Sequence, residues 1–316
     1  MKLSVIIPTR NRANILEKAL NSLVSQTIGK EFFEVIIVDN GSTDNTKKVV
    51  DLFTEKIPNL IYIYDDNPGL HIGRHRGLLE SKSDILVFGD DDIEALPTWL
   101  EAILESFEQS DVVLVGGKNI PCFEIAPPQW IKEMWEKGGN NKIISYLSIL
   151  DFGEKKKEIN PYYVFGCNFS IRKKILIEAG GFHPDGMPQE LIKYRGDGES
   201  YISKFIQENG YRAVYNPKAS VFHLVPTDRM TKKYFFQRAF NQGISDSYTD
   251  IRNNITNRLG SKKIKLFIKK YLLFKDVEID YNYLSGFYYH QNEAKRDEKL
   301  MEWIKRESYI NNGKIK

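Results

Sequence analysis

Cysteine is almost missing from this chain: Cys122 and Cys167 are the two it has in 316 residues. Two thiols cannot build a disulfide framework and their separation fits no zinc-ligand spacing, so a reducing compartment suits the chain best. Long apolar runs are missing as well, and no stretch reaches the length of a membrane span. The opening run "MKLSVIIPTR" is too short for a secretory leader. These absences predict a cytoplasmic protein whose membrane contact, if it has any, is peripheral at the inner face. An excess of one charge is also missing: 45 Lys and Arg face 42 Asp and Glu, a net +3. So mild a balance gives no ground for a nucleic-acid partner. There are no internal repeats and no low-complexity tracts. What is present is 41% apolar side chains, enough for one large domain or two modest ones with a true core.

The first half alternates β-branched runs with helical patterns, which predicts βα units around a mostly parallel sheet flanked by helices, an α/β fold. Strands are expected at "SVIIP" (4–8), "EVIIVD" (34–39), "LIYIYD" (60–65), "DILVFGD" (84–90) and "DVVLVGG" (111–117). Between the first two, Ile15, Leu16, Ala19, Leu20, Leu23 and Val24 recur at helical spacing. In an open α/β sheet the ligand crevice lies beyond the carboxyl ends of the strands. "PTRNR", "DNGSTDNT" and "GDDDIE" each follow a strand and so fall along that one edge. Asp39, the last residue of its strand, faces the crevice, where a carboxylate can accept the ring N–H of a nucleobase. Read alone, "DNGSTDNT" is a turn at Gly41 with Ser42, Thr43 or Asp44 capping the helix "KKVVDLF".

From 118 to 160 the pattern weakens into prolines, glycines and two tryptophans, which reads as a long loop with its own helical turn, a lid or acceptor wall. "VFGCNFSIRKKILIEAGGF" (164–182) reads as a strand, a short helix and a glycine stop. In 194–226 an acidic loop opens a helix, a strand follows, and His223 sits just past a second apolar run. The last stretch loses the βα rhythm and reads as a mainly helical region over 229–316. Within it, "GSKKIKLFIKKYLLFK" (260–275) carries six lysines and no acid. A basic amphipathic helix of this kind either packs its apolar face on the rest of the chain or lies on anionic lipid.

Three consecutive carboxylates, Asp90, Asp91 and Asp92, repel one another unless water screens them or a cation sits between them. "DGE" (Asp197, Gly198, Glu199) and His223 supply further candidate groups. Carboxylate oxygens suit a hard divalent cation, and an added imidazole favours manganese over calcium. Magnesium or manganese shared with substrate phosphates needs few protein ligands. A carboxylate at a helix start also serves as an ordinary cap, and a lone histidine as an ordinary core residue.

"VIIPTRNRANILEKALNSL", "VIIVDNGSTDNT", "NPGLHIGRHRGL", "DILVFGDDDIEALPTWL", "FGCNFSIRKKILIEAGGF" and "RGDGESYISKFIQENGYRAVYNPKASVFH" resemble, in this order, the successive blocks of family 2 glycosyltransferases of GT-A fold. The resemblance spans about 3–226. It implies a Rossmann-like GT-A unit over 1–228, with a nucleotide-sugar half (1–117) and an acceptor half (118–228), followed by the helical extension. It also implies that Pro8, Thr9 and Arg10 line the nucleotide pocket and that Asp39 meets a uracil or thymine base. The resemblance also places Gly69 and Arg74 in the nucleotide-sugar site, although "GLHIGRHRG" departs from the family pattern, with Gly73 for its alanine and His75 for its asparagine. Asp90 and Asp91 would face ribose and phosphates, and Asp92 would ligate Mn²⁺ or Mg²⁺, joined by His223. Asp197 aligns with the aspartate of the base motif, with Glu199 as the runner-up.

The function so implied is inverting transfer of a sugar from a nucleotide diphosphate, a UDP-sugar above all, to a hydroxyl of a glycan, lipid-linked or small-molecule acceptor, as in polysaccharide biosynthesis. Two other readings use the same residues: a binding module without turnover, and a sugar nucleotidyltransferase. The second usually opens on a glycine-rich phosphate loop, which "PTRNRAN" lacks.

Overall fold

The computed structural model describes residues 1–255 and 277–310. β-Branched residues dominate "LSVIIPT" and "FEVIIVD", which form β1 (Leu3–Thr9) and β2 (Phe33–Asp39), each buried at every residue. Burial on both faces is what an inner strand of a parallel sheet requires. Between them lies α1 (Ala13–Val24), whose Leu16, Ala19, Leu20 and Leu23 form the buried stripe. The chain continues through α2 (Thr46–Asp51), β3 (Leu60–Tyr64), α3 (Leu70–Glu80), β4 (Ile85–Gly89), β5 (Ile93–Ala95), α4 (Trp99–Ser106) and β6 (Val112–Gly116). All five expected strands are present.

The next part runs β7 (Asn119–Phe123), α5 (Gln129–Glu136), β8 (Lys142–Ile144), β9 (Ile149–Asp151) and β10 (Lys157–Glu158), then β11 (Asn168–Arg172), α6 (Lys173–Glu178), α7 (Glu199–Glu208), β12 (Arg212–Tyr215) and β13 (Val221–Val225). Eight strands make the main sheet, in the order β10-β12-β6-β11-β4-β1-β2-β3. β1 pairs parallel with β2 and β4, β2 with β3, and β12 with β6, while β11 runs antiparallel between β4 and β6. The sheet is therefore mostly parallel, and its alternating side chains feed two cores. Val5 and Ile7 meet Leu16, Leu20, Trp99 and Ile103 on one face, and Ile6 meets Leu78, Leu176, Ile202 and Ile206 on the other. Each such buried aliphatic side chain contributes about 1.5–3 kcal/mol.

The segment 118–160 is not the long loop its composition suggests. It contributes β7, β8 and β9 to a second, five-stranded sheet, β5-β13-β7-β9-β8. Three of those strands are three residues long, too short to display an alternating pattern. His223 also departs from expectation. It lies in the middle of β13, buried, and not past the strand, because the apolar run continues through Leu224 and Val225.

The C-terminal part is helical, as expected: α8 (Lys232–Arg252), α9 (Glu278–Arg296) and α10 (Glu298–Lys305). α8 and α9 approach at glycines. A Cβ on Gly243 would stand 2.6 Å from the Phe287 nitrogen, and one on Gly286 would stand 2.7 Å from the Phe240 carbonyl carbon. These helices rest on the sheet domain. Trp303 Nε1 donates to the Tyr194 carbonyl at 2.9 Å, and His75 Nδ1 lies 3.1 Å from the Tyr309 carbonyl. Among the described residues no helix is long and apolar enough to cross a membrane. The basic stretch 260–275 lies outside the described residues.

Candidate active site

Parallel pairing brings Thr9 opposite Asp39, and the strand ends of β1, β2 and β4 open on one edge. A cleft of about 280 Å³ lies there. Pro8, Thr9, Arg10, Gly69, Asp90, Asp91 and Asp92 line it, as the sequence led us to expect, together with Asn40, Arg12 and Arg229. Asp39 and Arg74, both buried, are not among its lining residues.

The three aspartates meet three different environments. Asp91 is buried: it accepts from Thr9 Oγ1 at 2.7 Å and pairs with Arg12 Nη1. Burial pushes its carboxyl up, to about 7, against the pull of Arg12. Asp90 is partly exposed and lies 3.6 Å from Arg74 Nη2; burial and the neighbouring Asp92 raise it while Arg74 opposes. Asp92 is buried, with Arg12 Nη2 at 2.9 Å, Arg229 Nη2 at 3.2 Å and His223 Nε2 at 3.4 Å. Burial alone would raise its carboxyl, but His223, Arg229 and Arg12 outweigh that and hold it below the usual range. Positive groups thus crowd the triplet from three sides, as repulsion between adjacent carboxylates demands.

One arrangement in this cluster is open to a metal. Asp90, Asp92 and His223 each offer a ligand atom within 4.8 Å of the others. Asp92 Oδ1 and His223 Nδ1 are buried without a hydrogen-bond partner. Asp92 Oδ1 faces only the His223 ring, with Nε2 at 3.4 Å, and a coordinated cation would offset the desolvation cost that this leaves. Two carboxylates and an imidazole fit Mn²⁺ or Mg²⁺.

Asp39 closes β2 as expected, but both its oxygens already have donors. Ser42 N–H reaches Oδ1 at 2.7 Å and Tyr62 O–H reaches Oδ2 at 2.7 Å. The unusual Gly73 has a steric reason: a Cβ there would come within 2.8 Å of Pro8 Cβ and nearer still to Asn40 Oδ1. The unusual His75 takes a structural role. Its Nε2 accepts from Phe182 N–H at 2.8 Å, which leaves Nδ1–H to donate to Tyr309.

Asp197 and Glu199 line a second cavity, of about 310 Å³, between the start of α7 and the side of α8. Glu199 is a counter-ion. Its Oε2 is 3.4 Å from Arg74 Nη1, its Oε1 accepts from Gly166 N–H at 3.3 Å, and Arg74 in turn reaches Asp90. Asp197 is held by neutral donors. Thr249 Oγ1 donates to Oδ2 at 2.6 Å, and His183 Nδ1 lies 2.6 Å from Oδ1. Burial lowers the His183 pKa, so the ring is neutral at pH 7 and the proton on Nδ1 points at Asp197.

Arg12, Arg229, His183 and Thr249 were not legible as site residues. Arg12 stands two positions from Arg10 with no pattern to rank them, and Arg229 follows the histidine strand by one turn. Thr249 lies in the helical extension, 52 residues from its partner.

A sequence model described as "Glycosyl transferase family 2" matches residues 4–180. The chain is 40% identical over 234 residues to the glycosyltransferase AglE of Haloferax volcanii, covering 73% of this chain and 70% of that one. It is 26% identical over 256 residues to the glucosyl-dolichyl phosphate glucuronosyltransferase of the same organism, covering 79% and 78%. In fold it is similar to S. aureus TarS 1–349 in complex with UDP-GlcNAc, with a TM-score of 0.56 and 18% identity, over 96% of this chain and 84% of that one. The mannosyltransferase PcManGT of Pyrobaculum calidifontis, in complex with GDP-Man and Mn²⁺, gives 0.56 and 17%, over 98% and 85%.

Proposed function

The chain belongs to glycosyl transferase family 2 and is a glycosyltransferase, and from that premise we propose that it transfers a sugar from a UDP-sugar to an acceptor hydroxyl with inversion at the anomeric carbon. The observation that carries this reading is the meeting of Asp90, Asp92 and His223 beside the cleft that the two aspartates line. These three residues would hold Mn²⁺ or Mg²⁺. When bound, the ion would neutralise charge on the departing diphosphate. Arg12 and Arg229 line the same cleft and would add N–H donors to the phosphates.

Asp197 is the base in this proposal, and the reason is electrostatic. A proton on Glu199 would leave the buried Arg74 with Asp90 as its one remaining ion pair, whereas Asp197 is held by neutral groups and takes a proton without weakening an ion pair. The acceptor O–H gives its proton to Asp197 and its oxygen bonds to the anomeric carbon. The bond from that carbon to the diphosphate oxygen breaks, and its electron pair leaves with the diphosphate. His183 keeps the Asp197 carboxylate aimed, which is a positioning role.

The name of the Haloferax glucuronosyltransferase supports a lipid-linked acceptor, and the UDP-GlcNAc complex of TarS supports a uridine donor. The thiols of Cys122, exposed, and Cys167, buried, are both free, which supports a cytoplasmic, reducing setting. Incubation with a panel of UDP-sugars is expected to release UDP when Mn²⁺ is present and to stop on chelation. Donor binding without any turnover across donors and acceptors would instead favour a binding module.

A further inference from the structure

Ser42, Thr43 and Asp44 stand at the crevice edge but are not among the residues that line the donor cleft. Their bonds go to the neighbouring loop. Asn11 N–H donates to Ser42 Oγ at 2.8 Å, and Asn11 Oδ1 accepts from Thr43 N–H at 2.7 Å. Ala13 N–H donates to Asp44 Oδ2 at 3.1 Å. The chain is therefore gripped immediately before and immediately after Arg12. Asn11 itself lies in the left-handed region, at φ 54°, which asparagine tolerates and most side chains do not. Arg10 and Arg12, on either side of that turn, both line the cleft.

Arg12 is the N-cap of α1, a place that Ser, Thr, Asp or Asn ordinarily takes because its oxygen accepts one of the first free N–H groups. Arg12 has no such oxygen, no acid lies in the first turn, and a guanidinium at the positive end of a helix is disfavoured. Asp44 supplies the missing acceptor from another loop. Its Oδ2 takes the Ala13 N–H, while its Oδ1 takes the N–H of Thr46, at the start of α2, at 3.0 Å. One carboxylate thus serves two helix starts, and the cap position of α1 is left open for a cation at the cleft. From there Arg12 reaches Asp91 and Asp92, one terminal nitrogen on each. Each terminal nitrogen keeps a second N–H. We propose that Asn11 and Asp44 are positioning residues for donor binding: by fixing the backbone on both sides of Arg12, they hold its guanidinium on the aspartate pair with the remaining N–H groups available to the diphosphate. The proposal rests on the transferase reading above. It gives "STD" (42–44), which the sequence marks only as a capped turn, a task in the site.

The test compares the binding of UDP and of uridine, which has the base and ribose but no phosphate, to the full chain with Mn²⁺ in excess. Arg12→Gln is expected to weaken UDP about 10- to 100-fold, the worth of a charge-assisted hydrogen bond, and to leave uridine unchanged. Asn11→Gly keeps the left-handed turn and loses the Thr43 contact. It and Asp44→Ala should each weaken UDP about 3- to 10-fold and leave uridine within about twofold. Asn11→Asp keeps both the acceptor and the backbone tolerance, and should bind UDP like the wild type. In an Arg12→Gln background, Asn11→Gly and Asp44→Ala should weaken UDP no further, because they act through Arg12. Urea midpoints monitor folding; if Asp44→Ala fails to fold, Asn11→Gly carries the test, since it leaves the Asp44 bonds to both helices in place. Equal losses on UDP and uridine, a full further loss in the Arg12→Gln background, or wild-type UDP affinity in Arg12→Gln or in both single loop variants overturns the proposal. A wild-type chain that binds UDP no better than uridine overturns the diphosphate-site reading instead, and the two failures are separable.

Discussion

Replacing Asp197 and Glu199 one at a time separates a base from a counter-ion. Asp197→Asn keeps the shape and the Thr249 contact but removes proton uptake. Loss of general-base catalysis costs about 10²- to 10⁴-fold in turnover, or about 2.7–5.5 kcal/mol of barrier. Donor binding should stay near wild type, because Asp197 is not among the residues lining the first cleft. Glu199→Gln acts on the folded state. The Arg74 side chain is 3% exposed and would be left with Asp90 alone, at 3.6 Å. Complete loss of a buried partner costs about 3–5 kcal/mol. Because Asp90 stays and the amide oxygen of Gln still accepts, about 1–2 kcal/mol is expected here. Product formation under saturating donor and urea denaturation read the two effects independently. An Asp197→Asn enzyme with wild-type turnover, or a Glu199→Gln enzyme that loses turnover with an unchanged denaturation midpoint, would refute the division of roles.

Mn²⁺ with UDP, each at about 100 times its dissociation constant, should stabilise the wild type by about 2.7 kcal/mol per site and raise its Tm by a few degrees; Asp92→Asn should show no metal-dependent rise, and an equal rise would contradict the ligand set. Burial holds His75 at about 3 and His290 at about 4 and lowers His183, so the unfolded chain, with histidines near 6.5, takes up protons first on acidification. These histidines therefore lower stability below about pH 6.5, against Asp91, whose raised carboxyl takes up its proton first in the folded state; His290→Gln is expected to remove its share of that fall, at most about 1.4 kcal/mol per pH unit relative to wild type, and identical pH slopes of the urea midpoints in the two chains would contradict this. Gly73→Ala should cost about 1–3 kcal/mol through overpacking against Pro8 and Asn40, read as a lower denaturation midpoint, and an unchanged midpoint would show that the contact yields.

The parallel strands were legible because burial on both faces forces continuous β-branched runs, as in "SVIIP" and "EVIIVD". The acidic rim was legible because the strand ends of such a sheet share one edge. The second sheet was not, since "KII" and "ILD" are too short to carry a period. Partnerships across the fold were hidden as well. Nothing near Arg12 in the sequence says that its guanidinium spans Asp91 and Asp92, some 80 residues on. Nor does anything near Asp197 point to Thr249 in the helical extension. Gly73 and His75 read as departures from a family pattern, and their cause appeared only with Pro8, Asn40, Phe182 and Tyr309 packed around them.

The central claim is that the acidic rim is a metal site completed by a nucleotide diphosphate. Crystals grown with UDP and Mn²⁺ and measured at the manganese absorption edge test it directly. The account predicts anomalous density among Asp90, Asp92 and His223, with the diphosphate beside Arg12 and Arg229. Manganese and UDP bound elsewhere, with that rim bare, would contradict it.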